Sequence, residues 1–253
     1  ADREKDIHSL ISYSVGCLMG RYSLDRPGMM YAHSGNHGFD ASHYKNFPAD
    51  DDGILPITDA DWFGSQEATG RFSEFVCTGW PLETFTENLK FMADSLGSQA
   101  GEAPNETIRR YFCTQFYKSH LQTYKRRPIY WLFTSGKERA FQALVYLHRY
   151  NEGTLARMRM DYVVPLQSRM SARIDQLRAD IAASVTTADR KKREKERAKL
   201  LRQLDELRIF DEKLRHYADM RISLDLDDGV KVNYGKFGDL LAEVKIVTGG
   251  GDE

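Results

Sequence analysis

From residue 154 to residue 217 the apolar side chains keep a helical period across one short interruption, and no other feature restricts the possible folds as strongly. Leu166, Met170, Ile174, Leu177 and Ile181 recur at spacings of four, four, three and four, which places them along one helix face. Pro165 has no amide hydrogen and is expected to bend or interrupt that helix. Val185-Thr186-Thr187 breaks the period, and Thr186 with Asp189 forms a capping box for a second helix running to about Tyr217. There Leu200, Leu204, Leu207 and Leu214 keep a heptad-like seam, with Asp211 at the intervening position and Phe210 beside it. Two long helices joined by so short a break pair antiparallel most simply. The expectation is a coiled-coil-like helical hairpin over residues 151–221.

The rest of the chain reads as a multi-helix domain over 1–150 and a short acidic tail over 222–253. With 41% hydrophobic and 29% charged residues among 253, the composition is that of a globular protein with a sizeable core. A first helix is expected over 6–24, stopped by Asp25-Arg26-Pro27-Gly28, and a long loop over 29–56, with short strands within it as an open alternative. Thr58-Asp61 and Thr84-Glu87 are capping patterns that would open further helices. Pro104 to about His120 is again helical. Residues 128–133 and 141–148 are apolar and aromatic runs, the first ended by Thr134-Ser135-Gly136, which predicts a β-hairpin, with a helix as the alternative for the second run. In the tail, Val230-Lys231-Val232-Asn233-Tyr234 alternates like a strand. The fold expected is mainly α with a small β component. No apolar run approaches the roughly 18–20 residues that span a bilayer, and Cys17, Cys77 and Cys113 lack the spacing of a metal or redox motif. A cytoplasmic location without membrane contact is expected. Ala1 stands where an initiating Met would be, so the chain is expected to be a piece of a larger protein.

The formal charge of -1 conceals an uneven distribution. Residues 1–70 hold 5 basic and 11 acidic side chains, whereas 104–150 hold 9 basic and 2 acidic. Residues 151–221 hold 17 and 12, and 222–253 hold 3 and 7. Phosphate binding depends on local potential, so near-neutrality overall does not exclude nucleic acid. The candidate DNA-contacting residues are Arg109, Arg110, Lys118, Lys125, Arg126, Arg127, Lys137, Arg139 and Arg149. Tyr130 and Trp131 either belong to a hydrophobic strand or stack on an extruded base.

Catalytic and metal chemistry find little support. His33, His37 and His43 fit no defensible ligand spacing. Asp225-Leu226-Asp227-Asp228-Gly229 begins like a calcium loop but lacks the closing Glu. Ser135-Gly136-Lys137 lacks the glycine-rich turn of a phosphate cradle.

Long strings of residues carry a family likeness. Residues 10–25 (LISYSVGCLMGRYSLD), 127–133 (RPIYWLF), 146–150 (YLHRY), 210–220 (FDEKLRHYADM) and 226–234 (LDDGVKVNY) resemble the segment beyond the methyltransferase core in the PglX family. These are adenine-specific DNA methyltransferases of BREX phage-defence systems. The resemblance implies a C-terminal piece of a large bacterial enzyme that methylates adenine N6 with S-adenosylmethionine. It implies no catalytic or cofactor site in this chain, which has neither the glycine-rich cofactor motif nor an Asn-Pro-Pro-Tyr-type motif. The expected role is DNA engagement and support of target recognition, with double-stranded DNA and the parent's methyltransferase domain as partners. The alternative is a module that docks the enzyme to other BREX proteins or braces it internally.

Overall fold

A computed structural model of the chain describes residues 2–33, 37–125 and 127–244. Helix α1, Arg3–Leu18, is opened by Asp2, whose carboxylate accepts the Lys5 N–H at 3.4 Å. It ends earlier than expected because Gly20 takes a left-handed φ of 79°, which lets the Arg21 N–H close on Gly16 O at 2.8 Å. A Cβ on Gly20 would lie 2.6 Å from the Phe39 ring. Among the described residues of the long segment that follows, a 3-10 turn over Ala41–His43 precedes strand β1, Ile54–Ile57.

Thr58-Asp61 starts no helix. The Thr58 hydroxyl instead lies 2.7 Å from Glu67 Oε2 and 2.8 Å from Ala60 O, and helix α2 covers Ala68–Gly79. Helix α3, Phe85–Ser95, forms where expected, although the Thr84 hydroxyl bonds Pro81 O and caps nothing. Pro104 opens α4, Pro104–Tyr111, where Glu106 accepts the Ala103 N–H at 2.8 Å. A π-helical stretch, Phe112–Phe116, joins it to α5, Tyr117–Tyr124.

The expected hairpin is present: β2, Tyr130–Thr134, runs antiparallel to β3, Gln142–Tyr146, with Leu132 opposite Leu144. The third strand, β1, is a short strand of the kind left open within the 29–56 loop, and it runs one residue past that loop's expected end. β1 pairs antiparallel with β3, giving the order β1-β3-β2. Pro56 is tolerated because β1 is an edge strand. All residues of β1 and β3 and all of β2 except Thr134 are buried, so consecutive residues are covered on both faces of the sheet.

Helix α6, Thr154–Arg157, passes through a π-helical stretch, Met158–Val163, into α7, Val164–Ala182, so the helical backbone is continuous across Pro165, and the irregular π-helical stretch lies directly before this residue that has no N–H to donate. Helix α8, Thr187–Asp219, is capped by the Thr186 hydroxyl on the Asp189 N–H at 3.1 Å. Arg193 donates to Asp180 O, Arg173 to Glu196 and Arg159 to Asp211, a ladder that fixes the two helices antiparallel. Leu166, Met170, Ile174 and Leu177 are buried with Leu200, Leu204, Leu207, Phe210 and Leu214. This hairpin is not packed in isolation. Phe210 meets Phe141 of the sheet at 6.1 Å, and one buried apolar cluster runs from α1 through the sheet to residue 244.

Residues Val230–Gly235 form a short helix, α9, in place of the expected strand. In the helix Asn233 and Tyr234 turn inward while Val232 is 57% exposed, and Tyr234 packs edge-on against Trp131 at 5.1 Å. The free edge of β2 is met by Leu241 instead, with the Ala242 N–H donating to Leu132 O at 2.8 Å. Among the described residues no helix is long and apolar enough to cross a membrane.

Candidate nucleic-acid interface

The basic excess of residues 104–150 divides into two chemically different sets. Arg109, on α4, forms an ion pair with Glu67, whose side chain is 1% exposed, and donates to Ala60 O at 2.9 Å. Burial pushes the Glu67 carboxyl up, and Arg109 and Thr58 oppose that shift. Arg110 is held by Glu102, with Nε to Oε1 at 2.8 Å and Nη2 to Oε2 at 2.9 Å, and this guanidinium draws the Glu102 carboxyl down to about 2. Arg149 is 1% exposed. It donates to the carbonyls of Asp50 and Asp51, and its guanidinium lies 3.9 Å from the centre of the Phe39 ring. These three arginines are internal fasteners of the fold and do not present free guanidinium groups to a phosphate.

Tyr130 and Trp131 are each 2% exposed. Their rings pack against His120, Tyr146, Tyr234 and Phe237, so neither has a face open for stacking on a base. Successive strand residues point to opposite faces, and both faces of β2 are covered here, which is why Tyr130 and Trp131 are both buried.

The second set faces water. Lys118 and Lys125 on or beside α5, Arg127 before β2, and Lys137 in the β2–β3 turn are exposed and lack a carboxylate partner among the described residues. Arg139, also exposed, reaches Cys113 O at 3.4 Å. Arg126 lies outside the described residues. Arg127 and Lys137 lie beyond opposite ends of β2, whose five residues alone span roughly 13 Å at about 3.3 Å per residue. They can therefore meet separate phosphates and cannot converge on one.

A residue that sequence reasoning missed holds the second group in place. Glu206, on α8, accepts the Ser135 hydroxyl at 2.6 Å, the Glu138 N–H at 2.6 Å and the Ala140 N–H at 3.2 Å. The turn that carries Lys137 and Arg139 is thereby tied to the long helix. A further cation cluster projects at the tip of the helical hairpin, where Arg190, Lys191 and Lys192 are exposed beside Val185, which is 98% exposed.

Among the described residues no group of three or more His, Cys, Asp or Glu converges. Burial pushes the Cys113 thiol up to about 12 and the Cys17 thiol to about 11, which keeps both protonated and unreactive near neutrality.

Two curated proteins match this chain almost end to end. It is 58% identical, over a 261-residue alignment, to an adenine-specific methyltransferase named BrxX from Escherichia coli O9:H4 (strain HS). It is 43% identical over 250 residues to an adenine-specific methyltransferase named PglX from Lacticaseibacillus casei (strain Zhang). The alignments take in 99% and 98% of this chain but only 21% and 20% of those proteins. The chain thus spans about one-fifth of the length of the curated relatives it matches, and the resemblance to PglX-type methyltransferases read from the sequence is borne out at that scale. No protein-family model matches the chain.

Proposed function

We propose that this chain is a non-catalytic, C-terminal DNA-engaging module of a larger adenine-specific DNA methyltransferase of a BREX-type phage-defence system. The observation that carries the proposal is the set of solvent-facing cations, Lys118, Lys125, Arg127, Lys137 and Arg139, in a chain matched over almost its whole length by proteins named as adenine-specific methyltransferases. On this reading S-adenosylmethionine and the methyl transfer belong to the rest of the parent protein, in the cytoplasm. This module contributes phosphate contacts that hold the duplex in register. Phosphate contacts of this kind set orientation and affinity and carry little sequence information.

The test is duplex binding across a salt series, with the wild-type chain and a Lys118→Ala/Lys125→Ala/Arg127→Ala/Lys137→Ala variant. Each lost phosphate contact lowers the slope of log K against log salt by about 0.9. A fall of about 2 to 4 in the slope is expected, with unchanged folding. No detectable binding by the wild-type chain, or an unchanged slope in the variant, refutes the proposal. A second reading, docking to other BREX proteins, is supported by the projecting hairpin tip with exposed Val185, Arg190, Lys191 and Lys192. It predicts loss of partner binding on alanine substitution there, with the duplex salt slope intact.

A further inference from the structure

Arg21 is a cation that the fold half-buries without giving it a carboxylate. Its backbone is pinned where α1 ends: the N–H closes on Gly16 O at 2.8 Å, and the carbonyl accepts the Met30 N–H at 2.8 Å. The guanidinium reaches the end of the sheet where Tyr130 stands opposite Tyr146. There Nη1 donates to the Tyr146 hydroxyl oxygen at 3.3 Å and Nε to that of Tyr22 at 3.4 Å. Tyr146 commits its own O–H to Tyr31 O at 2.7 Å, so toward Arg21 it acts as the acceptor. Burial opposes the charge of Arg21, and the bonds with Tyr146 and Tyr22 support it strongly enough for a net rise.

Arg109, Arg110, Arg159 and Arg173 each meet a carboxylate. Arg21 meets phenol oxygens at long distances, and among the described residues its Nη2 has no protein partner and is not sealed from water. A guanidinium carries five N–H donors, and here two neutral acceptors take up two of them. Partly desolvating a cation without a counter-charge is costly, and an anion arriving from solution recovers that cost. The two phenols also hold the side chain before any ligand arrives, so little rotamer freedom remains to be lost on binding.

The surroundings join this guanidinium to the cations already described. Tyr124, the last residue of α5, lies close enough to bear on the Arg21 charge. Its carbonyl accepts the Arg127 N–H at 3.0 Å and so anchors the turn that carries Lys125 and Arg127. The Tyr124 hydroxyl makes no hydrogen bond with the described residues and reaches solvent. Counting charge along the chain hides this neighbour, because Arg21 belongs to residues 1–70, with 5 basic and 11 acidic side chains.

We propose that Arg21 and the Tyr124 hydroxyl seat a phosphodiester group of the duplex backbone, a contact separate from those of Lys118, Lys125, Arg127 and Lys137. The assignment rests on the DNA-engaging reading above and deepens it, since the bound strand then passes from the Lys125–Arg127 turn onto the end of α1. A phosphate suits the seat because its oxygens accept from a guanidinium and a hydroxyl at once, with no base edge involved.

The experiment measures duplex binding by the whole chain across a salt series, with urea midpoints to confirm folding. Wild type is compared with Arg21→Gln, Arg21→Lys, Tyr124→Phe and the Lys118→Ala/Lys125→Ala/Arg127→Ala/Lys137→Ala variant. Arg21→Gln is expected to lower the slope of log K against log salt by about 0.9 and the affinity about tenfold, alone or added to the quadruple variant. Arg21→Lys keeps the charge, so its slope stays near that of wild type. Tyr124→Phe removes a donor that the fold does not use and weakens binding about three- to tenfold at an unchanged slope. An unchanged slope in folded Arg21→Gln, beside a lowered one in the quadruple variant, overturns the Arg21 contact and leaves the DNA-engaging reading standing. A slope lowered equally by Arg21→Lys and Arg21→Gln traces the effect to a disturbed fold and overturns it too. Undiminished affinity in Tyr124→Phe also overturns the seat, and decides the case should Arg21→Gln not fold. No duplex binding by the wild-type chain overturns both readings.

Discussion

Removing the Glu206 carboxylate is the most direct test of how the two halves of the fold are joined. Glu206 takes three hydrogen bonds from the β2–β3 turn, two of them from backbone N–H groups at 2.6 and 3.2 Å. The third donor is the Ser135 hydroxyl, which itself accepts the Phe141 N–H at 2.9 Å, so the carboxylate sits at the end of a short chain of bonds. A Cβ on Gly136 would lie 3.0 Å from Glu206 Oε2, so the turn approaches the helix as closely as glycine permits. Bonds to a charged acceptor are worth about 1.5–3 kcal/mol each when buried. Glu206 is half-buried, so water replaces part of each bond, and Glu206→Ala is expected to cost about 2–3 kcal/mol in total. Glu206→Gln keeps one oxygen but sets an amide N–H against a backbone N–H, and is expected to cost about half as much. The assay is urea denaturation of the chain at pH 7, comparing midpoints at a common slope. A loss below about 0.5 kcal/mol for Glu206→Ala, in the range of an ordinary surface substitution, would show that the turn holds its shape without this carboxylate, Arg202 and Gln203 of the same helix still donating to Glu138. In that case the positioning of Lys137 and Arg139 would need another cause.

Three further outcomes follow from buried ionisable groups. Arg109→Ala leaves the inaccessible Glu67 carboxylate without its cation and is expected to cost about 3–5 kcal/mol, whereas Arg109→Met with Glu67→Gln recovers much of that loss; equal costs for the single and double variants would refute the pairing. Arg109→Ala measured on folded protein should leave the salt slope of duplex binding unchanged. The Asp52 carboxyl is raised by burial and by its bond with Asp50. Its stabilising, protonated form is therefore complete at acid pH and is lost as pH rises from the ordinary carboxylate range through its folded value. Asp52→Asn should consequently melt higher than wild type at pH 8, with the gap closing near pH 4, and a gap independent of pH would refute the assignment. His120 acts with the opposite sign: its folded value is depressed to about 3, so stability is lost as pH falls below about 6.5, at roughly 1.4 kcal/mol per pH unit. Because the two effects offset each other between about pH 4 and 6.5, the His120→Asn comparison is best made in the Asp52→Asn background, where thermal melting should lose its fall between pH 6.5 and 5.

The elements themselves were largely legible in the sequence, because helix and hairpin formation rest on periods and caps that neighbouring residues supply. The spacing of Leu166 to Ile181, the Thr186–Asp189 cap and the seam from Leu200 to Leu214 specify two long helices with a tight connection, and the structure has them. The open and mistaken readings fall where a short segment answers to a distant partner. Ile54-Leu55-Pro56-Ile57 is too brief to show a period, and it becomes a strand because β3 offers an unpaired edge. Val230 to Tyr234 alternates like a strand, yet it coils so that Tyr234 can reach Trp131.

Function divides along the same line. The sequence by itself determined that residues 104–150 carry a cationic excess, that two long helices pair, and that the chain resembles part of a PglX-type methyltransferase. Tertiary structure alone decided which cations are available: Arg109, Arg110 and Arg149 are committed to Glu67, Glu102 and the Asp50–Asp51 carbonyls, while Lys118, Lys125, Arg127 and Lys137 face solvent. It also moved Tyr130 and Trp131 into the core and brought Arg21 within bonding distance of Tyr146. The reason is physical. A residue's charge or ring is a local property, but its availability depends on its partners, which lie eight positions away for Arg110, 42 for Arg109 and 99 for Arg149, and only the packed chain brings the distant ones within bonding distance.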